Sequence, residues 1–224
     1  MLNSRKLRAR DLGIQFGRIP DKYNAITDIE GVQVGFKTII QCDSIRTGVT
    51  AVFPRGTDLA TCQSSCFANW FSLNGNGDMT GTHWLTESGF LSSSVLTTST
   101  DYVGMCRDSI VKWFLMKTNS SSMIDMEDKQ LIISGIPVGK EIMRIEVNSS
   151  MRESDSGSII DILATDAPLL PHQLKRLATR IPLGIGKLGD IAAVAAVDTF
   201  LPFSTTNVLA ANVDNKHNQL SIEP

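Results

Sequence analysis

Residues 157–174 read GSIIDILATDAPLLPHQL and combine a glycine-serine step, an apolar run and a proline-marked segment. The step closes residues 148–157, the most loop-like part of the chain. From Ser158 onward the β-branched and aliphatic residues predict a buried strand over 158–164. The stretch therefore predicts a loop, a strand and then a helix, with Ser158 at the beginning of the strand.

The helix that follows the strand is predicted from a capping residue and a proline. Thr165 or Asp166 is suited to cap it, and Pro168 is suited to its first turn, where a missing N–H is tolerated. Its apolar face consists of residues spaced three and four apart, as in an amphipathic helix. These residues are Leu170, Leu174, Leu177 and Ala178.

The Gly157-Ser158 step allows two interpretations. It can be part of an ordinary loop, because Gly-Ser steps are common in loops. It can also be a bond that cleaves itself, with the serine Oγ attacking the glycine carbonyl, so that Ser158 becomes a new N-terminus. An α-amine has a pKa of about 7.7 to 8.0, so it can act as the base for its own hydroxyl. Such chemistry requires no cofactor or metal ion.

The rest of the chain predicts one α/β domain covering residues 1–224. Helical spacing of apolar residues predicts a helix over 103–116. Short β-rich runs between turns predict the other strands. These predicted strands cover residues 31–36, 49–53, 95–98, 130–133 and 203–209.

Composition excludes several classes of protein. The net charge of −2 over 224 residues gives no basic excess for nucleic acid, and no apolar run is long enough to span a membrane. No apolar run follows the basic residues 4–10, which argues against a secretory signal peptide. Four irregularly spaced cysteines do not form a disulfide framework, which favours a reducing, cytoplasmic location. A soluble protein with a small-molecule partner is expected.

Five sequence blocks resemble the self-processing L-aminopeptidase/D-esterase family, which includes the β-peptidyl aminopeptidases. The blocks occur in the family's order, at residues 8–14, 24–28, 46–52, 70–84 and 157–177. The resemblance implies a four-layer α/β/β/α sandwich of the N-terminal-nucleophile type. It also implies self-cleavage between Gly157 and Ser158 into chains 1–157 and 158–224, with Ser158 as the nucleophile.

The resemblance suggests further site residues. Asp198 matches an acidic residue of the family's active site, whereas Ala196 stands where the family has a second serine. The Asn74-Gly75-Asn76-Gly77 segment is first of all predicted to be a tight turn with positive φ angles. In the family comparison, Asn74 and Asn76 are instead candidates for lining the substrate cleft.

The chain is shorter than the family pattern, and the missing part falls between the helix at 103–116 and the strand near 131. That region carries a tyrosine and an asparagine that stabilise the oxyanion in the family, and neither can be placed here. Two functions are therefore open. The first is a serine aminopeptidase that hydrolyses short peptides, amides or esters through an acyl-enzyme, as an implied homo-oligomer. The second is a catalytically impaired scaffold or a truncated gene product.

Overall fold

The computed structural model describes residues 9–14, 17, 19–41, 45–118, 132–133, 136–137, 158–187, 197–208 and 210–211. Within them the strands are β1 (Gln33–Gln41), β2 (Ile45–Phe53), β3 (Cys66–Ala68), β4 (Phe71–Ser72), β5 (Phe90–Leu91), β6 (Val95–Thr97), β7 (Ile132–Ile133), β8 (Ile136–Pro137), β9 (Ile159–Thr165) and β10 (Asp198–Ser204). The helices are α1 (Leu59–Cys62), α2 (Thr82–Ser88), α3 (Val103–Thr118), α4 (Pro171–Ala178) and α5 (Ile181–Lys187).

These strands form two main sheets. Sheet A is antiparallel and has the order β1-β2-β6. In sheet B, β10 pairs with β3 and β4 along one side and with β9 along the other, and β5 continues the sheet beyond β3. The β9–β10 pair is parallel, and all the other pairs of sheet B are antiparallel. β7 and β8 form a separate two-stranded pair.

Packing between the elements gives the order of the layers. Val52 of sheet A lies in one buried cluster with Leu201 and Phe203 of sheet B, so the two sheets face each other. Because neighbouring residues of a strand point to opposite faces, Phe53 lies on the other side of sheet A, where its ring is 5.3 Å from that of Trp113 in α3. α4 contacts β10 and β3 and covers the outer face of sheet B. The predicted α/β/β/α sandwich is confirmed.

Most predicted elements are found close to their predicted places. The helix predicted over 103–116 is α3, and the strand predicted over 158–164 is β9. The apolar face predicted for the next helix is also correct, since Leu174 and Ala178 of α4 are completely buried.

The predicted start of α4 is wrong by three residues. The helix begins at Pro171 rather than near Pro168, and its N-cap is Leu170, whose N–H donates to Oε1 of Gln173 at 2.8 Å. A residue that precedes proline is disfavoured in the helical region, so Pro171 requires an extended Leu170 and leaves Pro168 in the connecting loop. The hydroxyl of Thr165 accepts from the Ala167 N–H at 3.1 Å and stabilises that loop.

The last strand also differs from its prediction. β10 covers Asp198–Ser204 instead of 203–209, and Pro202 lies inside it although proline is normally excluded from central strands. The antiparallel partner of β10 is interrupted between β3 and β4, at the place that faces Pro202. There the Asn69 N–H donates to the Pro202 carbonyl at 3.2 Å, so the missing proline N–H falls at a break in the ladder.

Candidate active site

Ser158 lies directly before β9, and the parallel pairing of β9 with β10 places it beside Val197. Its Oγ accepts a hydrogen bond from the Val197 N–H at 3.1 Å, and the Ile159 N–H donates to the Val197 carbonyl at 2.9 Å. The Ser158 residue is exposed. The Oγ is therefore held by a backbone donor and is open to an incoming group.

Asp198 is the buried acidic group next to this serine, with 4% of its surface exposed. Its Oδ1 accepts from the Ile159 N–H at 3.1 Å, and its Oδ2 accepts from Nδ2 of Asn74 at 3.0 Å. In return, Oδ1 of Asn74 accepts from the Asp198 N–H at 2.9 Å. The carboxylate therefore connects to Ser158 through the backbone of the following residue, and Asn74 holds that carboxylate in place. Asn74 and Asp198 form a reciprocal pair.

The Asn74–Gly77 segment is not the tight turn that the sequence predicts. None of its four residues has a positive φ, and the segment is a series of bends. Gly77 is required for a different reason, because a Cβ at this position would lie 2.1 Å from Cγ1 of Val197. The glycine thus makes space for the side chain whose backbone N–H contacts Ser158.

This contact leads to a test by substitution. Gly77→Ala is expected to lower the free energy of unfolding by about 1 to 3 kcal/mol, because the added methyl overlaps Val197. Adding Val197→Ala removes Cγ1 and leaves Cβ at 3.2 Å from the new methyl, so the double variant should recover most of the loss. Urea denaturation measures both effects. Gly75→Ala is the matched control, since nothing lies within 4 Å of a Cβ there.

A cavity of about 990 Å³ begins next to Val197. The inner faces of β9 and β10 contribute Ile160, Ile162, Thr199 and Leu201 to its lining, and α3 contributes further apolar side chains. Ser158 lies directly before β9 and two residues before Ile160, so the alternation of the strand directs it toward the same face. A cavity of this size and composition is typical of a ligand site.

Three charged residues in the lining, Asp78, Arg55 and Arg107, were not identified as site residues from the sequence, and Arg107 forms an ion pair with the neighbouring Asp108 at 3.7 Å. Asp78 directly follows the Asn74–Gly77 segment, is exposed, and is the acidic residue in the cavity lining among the described residues. Arg55 lies at the other end of β9 and β10, where its Nη1 donates to the Thr205 carbonyl. Only the position of Asp78 beside the Asn-Gly repeat offered a sequence signal; nothing local indicated that Arg55 reaches the cavity.

Other candidate groups lie away from the site or outside the described residues. His83 and His172 are exposed side chains. Gly157, Ala196, His217 and Cys42 lie outside the described residues. Within the part of the chain that the structure describes, no three His, Cys, Asp or Glu side chains come together as a metal site, and no helix is long and apolar enough to cross a membrane.

Comparison with known proteins gives the family. The model of Peptidase family S58 matches residues 24–127 and 114–223. The chain belongs to peptidase family S58. It is 30% identical to the β-peptidyl aminopeptidase BapA of Sphingosinicella microcystinivorans, over 96% of this chain and 78% of the relative, and 27% identical to BapA of Sphingosinicella xenopeptidilytica, over 90% and 74%.

Solved structures agree with this membership. The L-aminopeptidase D-Ala-esterase/amidase of Ochrobactrum anthropi, a variant of the Ntn hydrolase fold, superposes with a TM-score of 0.72 at 27% identity, covering 97% of this chain and 83% of that one. The β-aminopeptidase of a Burkholderia species gives 0.70 at 27% identity, covering 97% and 84%. The PH0078 protein of Pyrococcus horikoshii OT3 shares the fold, with 0.73 at 22% identity, 97% and 85%.

These similarities confirm the predicted family, the Ntn hydrolase fold and the serine aminopeptidase class. They also bear on the shortened middle of the chain. The alignment with the first BapA extends over 316 positions although this chain has 224 residues, so the relative has internal segments that this chain lacks. The two family matches overlap at residues 114–127, which cover the end of α3 and the beginning of the region where the sequence predicts the missing part.

Proposed function

We propose that this protein cleaves itself before Ser158 and then removes N-terminal residues from short peptides, amides or esters, with Ser158 as nucleophile. The observation that supports this most is the contact of Ser158 with Val197, a residue that lines the cavity. Its Oγ accepts the Val197 N–H, so the hydroxyl proton is free to point to another acceptor.

Self-cleavage would proceed without any other catalytic side chain. The Ser158 Oγ attacks the Gly157 carbonyl carbon, the C–N bond breaks, and the serine nitrogen takes a proton to become an amine. Water then hydrolyses the resulting ester and releases the carboxylate of Gly157. Chains 1–157 and 158–224 would remain associated through β10, because it pairs with β3 and β4 of the first chain and with β9 of the second.

Turnover would use the new α-amine of Ser158 as the base. The amine takes the Oγ proton, Oγ attacks the carbonyl carbon of the first residue of the substrate, and the leaving amine or alcohol takes the proton. Water hydrolyses the acyl-enzyme in the second half of the reaction. Asp198 acts as a positioning residue in this scheme, because its carboxylate fixes the Ile159 N–H and so fixes the backbone that carries Ser158.

The carboxylate of Asp78 would bind the ammonium group of the substrate. An aminopeptidase must bind a free ammonium group, and a carboxylate in a largely apolar cavity favours such a cation. Asn74 and Asn76 stay candidates for contact with the substrate, as the family resemblance suggests. The amide of Asn74 is engaged with Asp198, so its contribution would be indirect.

The experiment that tests this function compares two substrates. The purified protein is incubated with a short peptide that has a free N-terminus and with the same peptide acetylated, and products are identified by mass spectrometry. Release of the first residue from the free peptide alone supports an aminopeptidase. Internal cuts in the acetylated peptide would instead indicate an endopeptidase, and no product from either would favour the scaffold interpretation, to which Ala196 and the shortened middle point.

Asp78→Asn should lower kcat/KM for free-amine peptides by about tenfold to hundredfold, because a hydrogen bond to a charged group is lost. The variant keeps the shape of the side chain but removes its negative charge. Steady-state kinetics with L-alaninamide provides the measurement. Glu87→Gln is the matched control, since Glu87 is an exposed carboxylate that does not line this cavity. Equal losses in both variants would remove Asp78 from the proposal.

Assembly and location belong to the same proposal. Phe36 and Ile40 are exposed on the edge strand β1, by 79% and 64%, which supports contact with a second copy of the chain and hence the implied homo-oligomer. Cys62, Cys66 and Cys106 are free thiols, which supports the reducing, cytoplasmic compartment.

A further inference from the structure

We propose that Arg55 binds the C-terminal carboxylate of the substrate, so that the cavity accepts free-acid oligopeptides of a limited length. This inference rests on the proposed function, because it places the N-terminal residue of the same peptide at Ser158. It adds a second anchoring point at the opposite end of the cavity.

Among the described residues, no carboxylate balances the positive charge of Arg55. Its Nη1 donates to the Thr205 carbonyl and its Nη2 to the Ser65 carbonyl, at 3.4 Å in the second case. Its Nε is buried and has no hydrogen-bond partner. No carboxylate of the described residues forms an ion pair with Arg55. Each Nη group carries a second N–H beyond the one that donates to a carbonyl, so the guanidinium keeps donors and a positive charge for an anionic ligand.

The nearest thiol does not supply the missing negative charge. Burial raises the pKa of the Cys66 thiol, and the neighbouring Arg55 guanidinium opposes this shift only in part. Cys66 therefore stays neutral around pH 7, and the charge of Arg55 stays available. Ser64 and Ser92 also line the cavity and provide hydroxyl groups of the kind that accompany a carboxylate.

The distance between the two ends follows from the strand geometry. The carbonyl of Thr205 accepts the hydrogen bond from Arg55. Thr205 lies beside Thr165, because the Thr205 N–H donates to the Thr165 carbonyl at 2.9 Å. Ser158 and Thr165 are the two ends of one straight strand segment, about 23 Å apart at about 3.3 Å per residue. An extended peptide of about six to eight residues spans this distance at about 3.3 to 3.6 Å per residue.

A carboxylate between an arginine and hydroxyl groups is a favourable pairing, since arginine offers several N–H donors in a planar fork. Peptides that are too short cannot reach Arg55 while their first carbonyl lies at Ser158. Peptide amides of any length lack the negative charge of a C-terminal carboxylate. The cavity would therefore select by length and by the free carboxyl group together, which a site that recognises only the first residue cannot do.

The test uses alanine-rich peptides of three to nine residues, each as the free acid and as the C-terminal amide. We expect kcat/KM for the acid to exceed that for the amide by about tenfold to hundredfold at six to eight residues. The ratio should be near one for tripeptides. In Arg55→Met the ratio should fall to about one at every length, whereas Arg55→Lys should keep part of it.

The kcat/KM values for the acid and for the amide are measured on the same preparation. An unfolded fraction lowers both values by the same factor and leaves their ratio unchanged. A ratio near one at all lengths in the unsubstituted protein would overturn the inference while leaving the aminopeptidase function intact. Calorimetric titration with the heptapeptide acid and amide needs no turnover. Tighter binding of the acid by a protein that releases no product would support Arg55 as the carboxylate site and contradict the proposed function instead.

Discussion

Replacing Ser158 with alanine is expected to leave a single chain and to lower turnover by roughly 10⁴-fold or more, since nucleophile and base are lost together. Mass spectrometry under denaturing conditions should find chains 1–157 and 158–224 for the unsubstituted protein. It should find only the intact 24.4 kDa chain for Ser158→Ala. The effect is large because Ser158 supplies both the hydroxyl that attacks the substrate and the α-amine that takes the hydroxyl proton.

Ser156→Ala is the matched control for this experiment. It removes a hydroxyl two residues away in the same sequence segment and should leave both self-cleavage and turnover in place. Cleavage that persists in Ser158→Ala would exclude Ser158 as the attacking group. An uncut but folded unsubstituted protein would favour the scaffold interpretation, because the nucleophile would never become an N-terminus.

The second large effect is expected from Asp198→Asn. The new amide would direct N–H donors toward Nδ2 of Asn74, so two donors would face each other in a buried place. The unmade hydrogen bonds should lower the free energy of unfolding by about 1 to 3 kcal/mol. Turnover should fall as well, because the acceptor that fixes the Ile159 N–H is weakened. Urea denaturation and amide hydrolysis measure the two losses separately.

Exchanging the two residues provides the matched variant. In Asn74→Asp with Asp198→Asn, the new carboxylate accepts both donors of residue 198, and the new amide oxygen still accepts the Ile159 N–H. We expect stability to return and turnover to recover to within about tenfold, which corresponds to about 1.4 kcal/mol of transition-state stabilisation. Recovered stability without turnover would show that the negative charge at residue 198 matters, and it would contradict a role through position alone.

The double-variant cycle also measures whether Asn74 and Asp198 act together. Residues in direct hydrogen-bonded contact couple by 0.5 to about 3 kcal/mol, whereas distant residues are additive. Losses that simply add would mean that the reciprocal pair contributes nothing beyond its two separate side chains. The alternative for Asn74, direct contact with the substrate, predicts a change in KM without a loss of stability.

Local patterns were sufficient for several parts of the fold. The apolar spacing over 103–116 and the β-branched run after Ser158 define α3 and β9, because each pattern lies within one continuous segment. Two boundaries were missed because of prolines. Pro171 moves the start of α4, and Pro202 is accepted inside β10 only because its antiparallel partner is interrupted there.

The site was predictable in its chemistry but not in its contacts. The sequence by itself determined Ser158 as the candidate nucleophile and Asp198 as its acidic neighbour, since residue types and family blocks are local information. Only the tertiary structure decided that Asn74 forms a hydrogen bond with Asp198, 124 positions away in the chain. It also decided that the absence of a Cβ at Gly77 leaves space for the Val197 side chain, and that Arg55 lines the cavity. The physical reason is that such contacts depend on how strands pair and stack, and no spacing within one segment records the register between segments.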